Sequence, residues 1–137
     1  MRLSVITLLV HDQDQALRFF VGQLGFVVSE DNRLGDYRWL LVRAPETPDV
    51  SITLKLAQTD SERALVGKQG GDAPLFGFST DDCRRDFLAM KARGVTFEGE
   101  PQKMPYGTGV MLKDLYGNKM YLNEDPRPES GHTGSQR

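Results

Sequence analysis

The order of strand-like and helix-like segments occurs twice along this chain, and this repetition constrains the fold more than any single motif does. Each copy has the pattern β-α-β-β-β. Both helices begin after an aspartate, Asp12 or Asp82, and end at a glycine, Gly25 or Gly94; these residue types are favoured at helix N-caps and just beyond helix C-termini. A unit of this kind packs its helix on one face of its sheet and leaves the other face open.

We therefore predict an α+β fold in which two βαβββ modules form a curved, half-open, barrel-like mixed sheet with the helices on its outer face. The alternative is a ferredoxin-like or sandwich α+β domain without a cavity. The predicted divisions are a first module over residues 1–57, a linker over 58–73, a second module over 74–125 and a disordered tail over 126–137. At 137 residues, these divisions are expected to be parts of one domain.

Charge and composition argue against several classes of partner. The net charge is −2 and the Lys and Arg residues are scattered, so we predict no surface for nucleic acid or for an anionic membrane. The apolar N-terminal run ends at Val10 and is too short to span a membrane. The single cysteine, Cys83, excludes an internal disulfide and fits a reducing compartment, so we expect a cytoplasmic protein. We expect a buried, unreactive thiol and not a nucleophile, because a cysteine nucleophile needs a histidine base beside it.

Two stretches resemble a known family. The stretch "VITLLVHDQDQALRFFVGQLGFVV" resembles the opening of the vicinal oxygen chelate superfamily, the group of glyoxalases, bleomycin resistance proteins and extradiol dioxygenases. In the second half, "KARGV", "EP", "YG" and a "KD-x-YGN" turn follow one another in the order of that family. The resemblance covers residues 3–125 and implies the fold predicted above.

The resemblance also implies where a metal would be bound, because members of the family hold a divalent ion with one side chain from each of four strands. Carried over to this chain, the four positions are Val5, Thr53, Leu75 and Tyr121. Valine and leucine have no donor atom, and neutral hydroxyls are poor ligands beside imidazole or carboxylate. The chain has two histidines, and neither stands at these positions. We therefore predict no metal site and no cofactor.

Alternation along the strands separates two faces. The residues that share a face with the four metal positions would line a cup: Leu3, Val5, Thr7, Leu9, Ser51, Thr53, Lys55, Leu75, Gly77, Ser79, Lys119, Tyr121 and Asn123. The opposite residues are uniformly apolar and are expected to pack on the helices: Ile6, Leu8, Val10, Ile52, Leu54, Leu56, Phe76 and Phe78. This contrast supports the assignment of faces independently of the resemblance.

Eight residues are candidates for contact with a ligand: Thr7, Tyr37, Trp39, Thr53, Lys55, Met104, Tyr106 and Tyr121. Trp39 is either a stacking surface for a flat ligand or part of the core. Lys55 either pairs with an anionic group or extends to solvent. Met104 and Tyr106 belong to "QKMPYGTG", which is either a loop that closes over the cup or a plain hairpin. Tyr121 is expected to fill the space of the metal and to offer its hydroxyl to a ligand.

These observations predict a metal-independent, small-molecule-binding protein of the bleomycin-resistance type. Its ligand would be flat or apolar, partly anionic, and sequestered in the cup. One alternative is a lyase or dioxygenase-like enzyme that uses an atypical metal, or Tyr121 as a general acid. Another is a structural dimer with a filled cup. The resemblance and the uncovered sheet edges predict a homodimer in every case. Pairing of the modules within one chain and pairing between two chains both fit the sequence.

Overall fold

A computed structural model describes residues 1–126 of the chain, so the predicted disordered tail lies, from residue 127 onward, outside the described residues. In chain order the elements are β1 (Val5–Val10), α1 (Gln13–Leu17), β2 (Val27–Leu34), β3 (Tyr37–Arg43), β4 (Ser51–Leu56), α2 (Asp60–Leu65), β5 (Phe76–Thr80), α3 (Cys83–Ala92), β6 (Thr96–Met104), β7 (Gly107–Lys113) and β8 (Lys119–Glu124). The helix α1 continues as a π-helix over Arg18–Gln23. None of the described helices is long and apolar enough to cross a membrane.

The strands form two four-stranded mixed sheets with the same topology. The N-terminal sheet has the order β1-β4-β3-β2, and the C-terminal sheet has the order β5-β8-β7-β6. In each sheet the first strand pairs in parallel with the last strand of its module, and the other pairs are antiparallel. Within residues 1–126 the sheets are not joined by a strand pair, so they do not close into a barrel. The predicted fold class, two βαβββ modules in a half-open arrangement, is confirmed.

The predicted helix ends are also confirmed. The carboxylates of Asp12 and Asp82 each accept the backbone N–H three residues further on, at 2.9 and 3.0 Å. These bonds satisfy backbone donors that have no partner inside the helix. Gly25 and Gly94 follow the two helical segments with φ of 92° and 93°, in the left-handed region that glycine adopts without a steric penalty.

One hydrophobic core joins the two modules. Its buried strand residues all lie on one face of each sheet, called here the helix face: Leu8, Val10, Leu40, Val42, Ile52 and Leu54 from the N-terminal sheet, and Val110, Leu112, Met120 and Leu122 from the C-terminal sheet. The helical segments add Phe20, which has no exposed surface, and Phe87 from α3. Cys83 is fully buried in the same core, as expected. Most of the apolar residues of the alternating strand pattern, such as Leu8, Val10 and Leu54, therefore belong to this core, as predicted.

The structure departs from the predicted faces in three details. Leu75 was expected to line the cup, but it is partly buried against the main hydrophobic core. Leu56 was expected to pack on the helices, but it is 39% exposed because β4 ends at this residue. Leu9 was expected to line the cup, but it is buried in a small cluster that includes Val66 of the linker. The linker also contains α2, which begins after Thr59, whose hydroxyl accepts the N–H of Glu62 at 3.0 Å. The linker is thus a structured segment that packs on the end of β1.

Two side chains from outside the first module hold β1 and the start of α1. The amide of Gln69 accepts the N–H of Leu9 at 2.8 Å and donates to the carbonyl of Thr7 at 3.2 Å. It therefore occupies backbone groups on the edge of β1 that β4 does not use. The hydroxyl of Tyr116, in the β7–β8 turn, accepts the N–H of Asp12 at 3.1 Å. The Tyr116 bond joins the two modules directly, and the Gln69 bonds join the linker to the first module.

Candidate functional site

The face of each sheet that lies opposite its helix face is called here the open face. The strand register places Thr7 beside Thr53 and Thr53 beside Leu41, so the odd-numbered residues of β1, β4 and β3 form the N-terminal open face. In the C-terminal sheet, Tyr121 lies between its register partners Gly77 and Met111. Both open faces are on the sides of the sheets that point away from the common core.

Tyr37 and Trp39 lie together on the N-terminal open face. Their ring centroids are 6.3 Å apart and their planes are inclined by 37°. The indole N–H of Trp39 donates to the carboxylate of Glu30 on the neighbouring strand, which fixes the orientation of the ring. Trp39 is only partly buried and is not a member of the core. An aromatic pair that is held in place and reaches solvent can serve as a stacking surface for a flat molecule.

The other candidates on this face differ in their surroundings. Thr53 is only 3% exposed, and its hydroxyl oxygen has no hydrogen-bond partner within residues 1–126. Thr7, its register partner on β1, is exposed. The ammonium of Lys55 forms an ion pair with Glu62 of α2 at 3.1 Å, so the linker helix already supplies its counter-charge. Thr53 therefore has an unused polar atom on this face, whereas Lys55 does not.

Tyr106 and Tyr121 form a second aromatic pair, on the C-terminal open face. Their ring centroids are 6.5 Å apart, with an interplanar angle of 51°. The ring of Tyr121 lies over Gly109 of β7: a Cβ atom added to that glycine would be 2.7 Å from Cε2 of the ring. Met104 and Tyr106 are exposed at the end of a tight hairpin in which Met104 pairs with Gly107. The segment "QKMPYGTG" therefore forms the β6–β7 hairpin, with Met104 and Tyr106 at its end.

The phenol of Tyr121 has a raised pKa and stays protonated at neutral pH. Its burial, together with the neighbouring Tyr106 hydroxyl, raises the pKa of Tyr121 to about 12. Burial disfavours the charged phenolate, and a second phenol nearby acts in the same direction. At neutral pH this side chain is consequently a neutral hydroxyl, able to donate or accept a hydrogen bond. It is poorly suited to bind a metal as phenolate or to act as a general acid, for which a pKa near the working pH is best.

The residues at the four metal positions of the family do not fit a divalent ion. Val5 and Leu75 offer only hydrocarbon, Thr53 offers a buried hydroxyl, and Tyr121 offers a phenol of raised pKa. Divalent ions in such sites need imidazole or carboxylate donors in a preorganised set. Among residues 1–126, moreover, no three His, Cys, Asp or Glu side chains are placed to hold a metal together. No chemical step in this protein is therefore assigned to a metal at these positions.

The structure brings the candidate residues into two groups rather than one. One group contains Tyr37 and Trp39, and the other contains Met104, Tyr106 and Tyr121. Sequence reasoning overlooked Gly109, which leaves room for the Tyr121 ring. The sequence does contain a feature that indicates the position of Gly109: the tight β7–β8 turn sets a register in which Gly109 lies beside β8.

Comparisons with known proteins agree with the fold. A model of the Glyoxalase/Bleomycin resistance protein/Dioxygenase superfamily matches residues 2–122. An uncharacterised protein of Shewanella frigidimarina is 36% identical over 115 residues, which are 82% of this chain and 85% of the relative. The uncharacterised protein YurT of Bacillus subtilis is 32% identical over 126 residues, 89% of this chain and 98% of the relative.

Two crystal structures are similar over nearly their whole length. UcmS2 has a TM-score of 0.80 and 33% sequence identity, with 90% of this chain and 97% of that chain covered. TnmS3, an antibiotic binding protein from Streptomyces sp. CB03234, has a TM-score of 0.73 and 29% identity, with 92% of this chain and 97% of that chain covered.

Proposed function

Because the chain belongs to the glyoxalase, bleomycin resistance protein and dioxygenase superfamily, we propose that it binds and sequesters a flat or apolar small molecule without a metal ion. The observation that carries this proposal is the replacement of the metal-ligand set by side chains suited to apolar contact. Where the family places its metal, this chain has Val5, Leu75, the buried Thr53 and the ring of Tyr121. The resemblance to TnmS3, an antibiotic binding protein, supports a binding role of this kind.

The two aromatic pairs indicate that the proposed ligand is flat. Tyr37 with Trp39, and Tyr106 with Tyr121, each present a partly exposed ring surface on an open face. Flat molecules gain affinity on such surfaces through stacking and through the removal of apolar area from water. The hydroxyl of Thr53, which has no hydrogen-bond partner among residues 1–126, would satisfy a hydrogen-bonding group of a ligand that reaches it. Catalysis by Tyr121 is disfavoured, since a phenol with a pKa of about 12 is a weak acid at neutral pH.

We further propose that the complete site forms between two copies of the chain. Each open face carries one aromatic pair and exposes apolar side chains, such as Val5 and Leu34 on one face and Met104 on the other. Exposed apolar surface of this kind typically marks an interaction site. A second copy could place its C-terminal open face opposite the N-terminal open face of the first and so enclose a ligand between the two aromatic pairs. Sedimentation velocity should then show a dimer; a monomer over the whole micromolar range would reject this part of the proposal.

The binding proposal can be tested with 8-anilinonaphthalene-1-sulfonate, a flat, apolar and anionic probe, by isothermal titration calorimetry. Trp39→Ala and Tyr121→Ala are expected to weaken its binding about tenfold each, because each removes a ring surface. Trp39→Phe should retain most of the affinity. Leu88→Ala is the matched control, since Leu88 is an exposed apolar residue on α3, away from both open faces.

Circular dichroism would show that each variant keeps its fold. Wild-type affinity in both Trp39→Ala and Tyr121→Ala would contradict the proposal, and so would a loss of affinity in Leu88→Ala alone. Because Trp39 is the only tryptophan of the chain, quenching of its fluorescence by the probe gives an independent reading on the N-terminal open face.

A further inference from the structure

We infer that the ligand is an aromatic acid whose anionic group is held by Lys113 and Lys119 on the C-terminal open face. This inference rests on the proposed function and adds the chemical class of the ligand. The two lysines flank the β7–β8 turn and are register partners, so their side chains leave the sheet next to each other. They share their face with Tyr121, which follows Lys119 by two positions on β8.

The two ammonium groups share a single carboxylate. Nζ of Lys113 lies 3.3 Å and Nζ of Lys119 lies 3.6 Å from the same oxygen, Oε2 of Glu98 on β6. Two positive charges against one negative charge leave the cluster with a net charge of +1. Like charges directly opposite each other in a sheet repel, so a second anion beside the lysines would be favourable. Each ammonium also has three donors, more than one carboxylate oxygen can accept from.

The position of the cluster matches the aromatic pair. Two residues along a strand span about 7 Å, which sets the spacing between Lys119 and Tyr121. Met111 is the register partner of both Tyr121 and Glu98, so it lies between these two residues on the open face. The ring of Tyr121 extends over Gly109, and the two ammonium groups extend toward Glu98. An aromatic acid that lies along this face, with its ring toward Tyr121 and its carboxylate or sulfonate toward Glu98, would contact both groups.

The lysines are accessible enough for a ligand to reach them. The side chains of Lys113 and Lys119 are 37% and 26% exposed, and that of Glu98 is 37% exposed. A surface ion pair of this kind contributes little to stability. Exchange of Glu98 for a ligand anion would therefore disturb the fold only slightly. Glu98 acts in this account as a competitor that occupies the lysines when the ligand is absent.

The test compares two matched probes by isothermal titration calorimetry: 2-naphthoate, which is anionic, and 2-naphthylmethanol, which has the same ring but no charge. Wild-type protein should bind 2-naphthoate more tightly. Lys113→Met and Lys119→Met should each weaken binding of 2-naphthoate about fivefold and leave 2-naphthylmethanol unchanged. Glu98→Gln should strengthen binding of 2-naphthoate about fivefold, because it removes the competing carboxylate; a purely structural role of Glu98 does not give this sign.

Lys103→Met is the control for loss of one positive charge. Lys103 lies on the same strand as Glu98, but it faces the opposite side of the sheet from Met104 and is exposed. It should leave binding of both probes unchanged. Equal binding of the two probes, with no effect of the lysine variants, would overturn the inference while the proposed function stands. Absence of binding for both probes would overturn the inference and the proposed function together.

Discussion

The placement of Tyr121 over Gly109 gives a sharp test of the C-terminal open face, because a single methyl group should displace the ring. A Cβ at position 109 would be 2.7 Å from Cε2 of Tyr121 and closer still to its Cζ and hydroxyl oxygen, whereas ordinary contacts lie at 3.4–4 Å. Gly109 does not have a positive φ, so the backbone itself accepts alanine. The entire penalty of Gly109→Ala should therefore come from the ring.

Overpacking of this kind destabilises proteins by about 1–3 kcal/mol. Replacing glycine by alanine in a strand returns about 0.5–1 kcal/mol, because glycine loses more conformational freedom on folding. We therefore expect Gly109→Ala to lower the free energy of unfolding by about 1–2 kcal/mol in urea denaturation. In a Tyr121→Ala background the obstacle is gone, and Gly109→Ala should be neutral or slightly stabilising. The double-mutant cycle should then show a coupling of at least about 1 kcal/mol.

Gly22→Ala provides the control for this cycle. A Cβ at Gly22 would meet no atom within 4 Å, so the substitution should be neutral or stabilising in either background. If Gly109→Ala is as stable as the wild type, or if its penalty is the same with and without the Tyr121 ring, the described position of this ring is wrong.

Three further outcomes follow from individual contacts. Gln69→Ala should lower the free energy of unfolding by about 1–2 kcal/mol, because it leaves backbone groups of β1 without partners, whereas Gln102→Ala on the exposed surface of β6 should not; urea denaturation compares the two. Asp82→Ala should cost about 1 kcal/mol through loss of the cap of α3, and an equal loss in Asp81→Ala would contradict this. The pKa of Tyr121 rises from 10.0 to about 12 on folding, so its contribution to stability is complete below pH 10 and disappears as the pH rises from 10 to 12. Tyr121→Phe should accordingly lose less stability than the wild type over that interval, and an identical decline in both proteins would be evidence against the shift.

Much of the scaffold could be predicted from local signals. The aspartate and glycine at the ends of each helix act within a few residues of chain, and the structure uses Asp82 and Gly94 as predicted. Alternation along β8 correctly separated the buried Met120 and Leu122 from Tyr121, because the period of a strand is two whatever the strand pairs with. The linker helix α2 could also have been predicted from the sequence, since Thr59 and Glu62 have the spacing of a capping box.

The composition of the open faces was harder to predict, because it depends on register between strands that are distant in sequence. Lys113 and Lys119 are neighbours only because β7 pairs with β8. Glu98, on β6, contacts both lysines, and the register of β6 against β7 shifts between Glu98 and Gln102. Alternation assigns each residue to a face but does not say which strand lies beside it. The same limitation applies to Gln69, whose amide reaches the edge of β1 from the linker.

The central claim is that a small molecule binds these aromatic faces without a metal, and the most direct measurement is the affinity for 8-anilinonaphthalene-1-sulfonate with and without metal ions. Calorimetry on protein treated with a chelator, and again with added zinc, nickel, manganese or ferrous iron, should give the same dissociation constant in every case. Elemental mass spectrometry of the same samples should show well below one metal per chain. Binding that appears only when the protein has taken up about one metal per chain would contradict the account, because Val5, Thr53, Leu75 and Tyr121 offer no suitable ligand set.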